Sequence, residues 1–182
     1  MTNKVNKSVL RIRKRHTPAE TIEVSARDRS RLLQQQSLRG ALIGGVIVII
    51  LFSVLWAMTS VLLDRIFPWM TVVLGMLIGL TVRRAGRGLD WRFPVLAAAI
   101  TLIGALVGNV VVAAAFTAED MERTTFTILR AITSLTWPVF FDEVISSADI
   151  VFALFGAAIA AFYANRRLSR AEYLALHKWQ ED

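Results

Sequence analysis

Apolar and polar positions along this chain fall into long blocks. Residues 41–63, 66–82, 93–117 and 147–164 are almost wholly apolar; three of these stretches hold no charged residue and the fourth holds only Asp149, at its edge. A helix rises 1.5 Å per residue, so crossing a ~30 Å hydrocarbon core takes about 20 apolar residues. Two stretches exceed that length and two sit near the lower limit of about 17. The pattern predicts an all-α, polytopic membrane protein built as a four-helix transmembrane bundle.

The blocks between the spans predict smaller elements. Residues 1–39 form a polar head, partly disordered, with a helix near 24–39 that Ser25 caps and that leads into the first span. Residues 40–165 form the four-span domain and 166–182 a short tail, in which Tyr173, Leu176 and Trp179 share the lipid-facing side of a surface helix. The second outer loop, 118–147, carries Glu119, Asp120, Glu122, Asp142 and Glu143. Between them Phe126, Leu129, Ile132 and Leu135 recur at helical spacing, followed by Trp137, Phe140 and Phe141. This predicts a short amphipathic helix at the outer interface, where aromatic rings favour the headgroup level. The same surface also suits a partner protein or the equivalent loop of a second protomer.

Charge orients the bundle. The head, the loop after the second span and the tail hold 18 of the 21 Lys and Arg residues; Arg65, Arg123 and Arg130 are the remainder. Basic residues flanking spans stay in the cytoplasm, so both termini are expected there. The head is too long and polar to read as a cleaved leader. Arg39, Arg83, Arg84, Arg87, Arg92, Arg166 and Arg167 lie at the cytoplasmic ends of spans, where each contact with an anionic headgroup contributes ~1 kcal/mol. The run Arg11-Ile12-Arg13-Lys14-Arg15 reads the same way; nucleic acid is the weaker reading, because no folded reading module accompanies it.

Composition agrees with the blocks. Of 182 residues, 55% are hydrophobic and 19% charged, below the roughly 25% charged of a soluble domain. There is no cysteine, which excludes disulfides, thiolate metal sites and a cysteine nucleophile. The histidines, His16 and His177, lie outside the spans, and neither a His-Glu-x-x-His nor a Gly-x-Ser-x-Gly motif occurs. No enzymatic activity and no cofactor are expected.

Within the spans, small residues recur four apart: Gly40 and Gly44, Gly75 and Gly79, Gly104 and Gly108, Gly156 and Ala160. That spacing lets two backbones approach closely. It predicts a tight bundle or an oligomer without saying which contacts run between chains. Pro68 and Pro94 stand near helix starts, and Gly86 and Gly88 follow the second span, where a left-handed C-cap favours glycine.

The run Gly75-Met76-Leu77-Ile78-Gly79-Leu80-Thr81-Val82-Arg83-Arg84-Ala85-Gly86-Arg87-Gly88, followed by Gly104–Asn109 and by Asp149-Ile150, resembles a pattern in small uncharacterised bacterial four-span inner-membrane proteins. The likeness covers residues 75–165. It implies the four-span fold and a bacterial inner-membrane address, and brings no activity or catalytic residue. Relatives with an N-terminal zinc ribbon differ from this chain, which has no cysteine.

Two polar residues stand out. Asn109 is the strongly polar side chain inside a span; its bland reading is an interhelical hydrogen bond worth ~0.6 kcal/mol. Asp149 follows Ser146 by three residues, the spacing of a capping box at a helix start. The sharper reading puts both on an ion or proton pathway. Counted along the spans, Asn109 lies some six residues deeper than Asp149, an apolar gap of roughly 9 Å that weakens that reading. The sequence therefore favours a non-catalytic membrane protein that self-associates or serves as an accessory subunit. A small channel or transporter through Asn109 and Asp149 is the alternative.

Overall fold

A computed structural model describes residues 36–88, 90–132, 137–138 and 144–165. Among these residues the chain is 82% helical and contains no strand. Helix α1 spans Leu38–Leu62. Ser37 caps it from an extended conformation, its Oγ accepting from the Gly40 N–H at 3.0 Å. The helix expected through Arg39 into the first span is therefore broken at Ser37; its part before residue 36 lies outside the described residues. Thr59 and Thr101 return their hydroxyls to carbonyls one turn back, as threonine does in apolar surroundings.

Helix α2 covers Met70–Thr81 and continues as a π-helical turn over Val82–Gly86. Phe67, Pro68 and Trp69 precede it as tight turns that accept from the N–H groups of residues 70, 71 and 72. Residues 66–69, read from sequence as part of the span, thus lie ahead of the helix proper. The left-handed residue after the π turn is Arg87, with φ 49°, and no glycine has positive φ. Gly86 and Gly88 instead make room for the Phe93 ring: a methyl group at Gly86 would lie 2.8 Å from a ring carbon, and one at Gly88 would overlap the ring.

Helix α3 is the longest, Arg92–Asp120. Helix α4, Thr125–Ala131, is a seven-residue helix within the 118–147 loop, where the sequence placed a longer one. Thr124 caps it, and the Arg130 guanidinium sits 5.5 Å from the centre of the Phe126 ring. Leu135 lies outside the described residues. Helix α5 spans Ser147–Ala164 and opens on the capping box read from sequence. Helices α1, α3 and α5 are long and apolar enough to cross a membrane; α2, at 12 residues, is not by itself.

The small-residue stripes bring these helices together inside one chain. The Gly75 face of α2 meets the Gly156 carbonyl of α5, and a methyl at Gly79 would lie 2.7 Å from the Ala160 carbonyl oxygen. Gly156 in turn faces Thr71 O and Thr101. On the other side of the bundle Gly104 faces Ile49, and Gly108 faces Trp56, whose ring carbon would stand 2.6 Å from an added methyl. Gly40 and Gly44 face Ala85 and Thr81. Leu74, Ile78, Val82 and Phe93 fill the interior beside them. All eight small positions are thus occupied by helices of the same chain.

These contacts order the bundle into a long pair, α1 with α3, and a short pair, α2 with α5. Helical rise makes α3 about 43 Å long and α5 about 27 Å. Ser53, Trp56 and Ser60 form one buried stripe on α1, and Ser53 Oγ, Trp56 Nε1 and Ser60 Oγ have no hydrogen-bond partner.

Candidate functional site: a lateral groove between two helices

Asp149 owes its position to the cap it completes. Its Oδ2 accepts from Ser146 N at 3.0 Å and from Ser146 Oγ at 2.6 Å, while its own N–H donates to Ser146 Oγ at 3.3 Å. The cap turns the carboxylate inward: Asp149 is 6% exposed, and its Oδ1 is buried without a partner. A buried carboxylate oxygen left unpaired is costly, since no water or donor replaces the one it loses on leaving solvent.

Asn109 lies across from it. The register follows from the Gly156 contact with Thr101. Asp149 stands two turns outward from Gly156 on α5, and Asn109 two turns outward from Thr101 on the antiparallel α3. Both therefore sit about 11 Å outward of that contact. They line one cavity of about 160 Å³, together with Leu102, Ala105, Leu106, Ile145, Ile150, Ala153 and Leu154. By this register the acid and the amide lie at similar depth, without the apolar gap of roughly 9 Å expected between them. Counting from span ends assumed helices of equal reach, whereas α5 begins deeper than α3 ends.

Asn109 is 7% exposed, and its side chain makes no hydrogen bond among the described residues. The interhelical bond expected of it is not formed. The groove opens sideways: Ile150 and Leu154 on one rim are 53% and 58% exposed, and Leu102 and Leu106 on the other are also exposed. Ala105 and Ala153 create the space, each one turn from a polar residue. An alanine four residues from an Asn or Asp in an apolar helix is the sequence signal that would have marked the groove.

The arginines gather at the opposite end. Arg83, Arg84 and Arg87 ride on and beside the π turn; Arg39 and Arg92 open α1 and α3. Ser37 N donates to Gly86 O at 2.9 Å, tying the start of α1 to the end of the π turn. Arg39 and Arg92, with Ser37, Asp90 and Phe93, line a second cavity of about 310 Å³. Arg166 and Arg167 lie outside the described residues. Among the described residues no three His, Asp or Glu side chains cluster as metal ligands would.

No family model, no curated protein and no solved structure matches the chain. Its functional reading therefore rests on this geometry.

Proposed function

We propose that the chain is a non-catalytic four-span membrane protein that serves as a subunit of a larger membrane assembly. In this reading α2 is the fourth crossing. With the turns before it and the π turn after it, the column from Phe67 to Gly86 reaches about 20 residues, enough for the hydrocarbon core. Helix α4 lies at the outer interface. The basic end faces the cytoplasm, with its arginines against anionic headgroups.

One observation carries the subunit reading: the interior is filled by glycine-backbone contacts and apolar side chains, while the buried acid opens onto a groove in the outer wall. A channel is the second reading, favoured by the cavity that Asn109 and Asp149 share. Against it, the buried polar residues inward of them, Thr71 and Thr101, turn their hydroxyls back to the Pro68 and Ala97 carbonyls, and the core beyond is Leu74, Ile78 and Val82. Self-association through the small-residue stripes loses support, because those stripes are already used within the chain.

Purification of the full-length protein in mild detergent, followed by native mass measurement, tests the reading. The expected result is a stoichiometric complex heavier than one chain. A chain that remains monomeric under the gentlest extraction overturns it.

A further inference from the structure

The groove between α3 and α5 has the makings of a seat for another helix. Its rims are aliphatic and exposed, and its floor is alanine. At that floor stand a carboxylate whose Oδ1 has no partner and an amide with no hydrogen bond among the described residues. An ionised acid in hydrocarbon is stable only when paired, and membrane proteins pair such groups across helices. A bare metal cation is poorly served here, because a hard cation takes about six oxygens and the groove offers those of one carboxylate and one amide. A second copy is poorly served too: none of its apolar stretches contains Lys, Arg or His.

We infer that the groove receives a transmembrane helix of a different protein, one that carries a single Lys or Arg opposite Asp149. This rests on the subunit reading and gives it a site and a partner chemistry. Asn109 lies about 25 Å along α3 from Arg92, so the basic residue belongs in the outer part of the partner's span. From there its long side chain keeps its head near the interface until Asp149 takes it. Asn109 adds a donor and an acceptor beside the pair. Ala105 and Ala153 let the partner backbone come close, as small residues do at membrane helix interfaces.

The test uses full-length protein in phosphatidylcholine liposomes and two synthetic Leu/Ala helices. These are about 23 residues long and identical except for Lys or Leu one turn inside one end. Association is read by energy transfer between labels. The Lys helix should associate about tenfold more tightly than the Leu helix, and Asp149→Asn should erase that preference. Ala153→Phe fills the groove without touching the cap. It should weaken the Lys helix by a similar factor with helicity and melting temperature retained, so the inference stays testable even if Asp149→Asn folds poorly. Equal association of both helices, or a Lys preference indifferent to both variants, overturns the inference. So does a homodimer dissolved by Asp149→Asn, or a proton flux abolished by it. A heavier native complex with no Lys preference would remove this site and leave the subunit reading standing.

Discussion

Arg87, Gly88 and Phe93 show how a residue's role depends on what lies beside it. Glycine after a helix ordinarily supplies the left-handed conformation. Here Arg87 adopts it, at φ 49°, and Gly88 is needed for space, because a methyl would enter the Phe93 ring. The two substitutions should therefore have opposite signs. Arg87→Gly relieves a left-handed side-chain clash of about 1 kcal/mol and should raise the melting temperature in detergent. Gly88→Ala should lower it, by the 1–3 kcal/mol typical of overpacking a buried ring. If Gly88→Ala melts like the parent, the Phe93 ring is not seated where it is described. Ser53 and Ser60 carry the same lesson in reverse: their hydroxyls are buried and unbonded, and each weakens the α1 stripe it sits on.

At the scale of elements, glycine stripes are not equivalent. The α2–α5 seam sets backbone against backbone: Gly75 faces the Gly156 carbonyl, and Gly156 faces the Thr71 carbonyl oxygen at 2.6 Å from a built methyl. Where Gly44 approaches α2, the obstacle is the Thr81 methyl, a side-chain atom at 2.8 Å. Side chains rotate and carbonyls do not. Gly75→Ala should thus destabilise more than Gly44→Ala, by roughly 1–2 kcal/mol in thermal unfolding. Equal losses would mean that the seam relaxes as a unit. The stripes were legible in sequence because small residues at four-residue spacing have one structural use in a membrane helix. Which helices they join was not, since spacing fixes a face and not its neighbour. The capping box was legible for a similar local reason, as Ser146 and Asp149 are three residues apart. The cavity shared by Asp149 and Asn109 was not legible. It depends on where α5 starts relative to α3, and no local pattern encodes that offset. Nor did the sequence disclose the π turn at Val82–Gly86, which extends α2 beyond its 12 α-helical residues.

For the whole molecule, the proposed orientation makes a direct prediction. Reporter fusions at residue 182 should read cytoplasmic and fusions within 118–147 should read external, because 18 of 21 basic residues flank the first of these sides. An external signal at residue 182 would leave α2 outside the membrane and reduce the protein to its three long helices. The unequal helix pairs have a different consequence, one that concerns the lipids. The α1–α3 side presents about 38–43 Å of helix, whereas α5 presents about 27 Å. A surrounding leaflet cannot match both at once. In the four-span reading, acyl chains beside α5 tilt or compress, at a cost of fractions of a kcal/mol per ångström of mismatch. In that reading the protein carries an asymmetric strain field in its annulus. It should gather at thinner or more compressible patches of membrane, and any neighbour that fills the short side releases that strain as it docks.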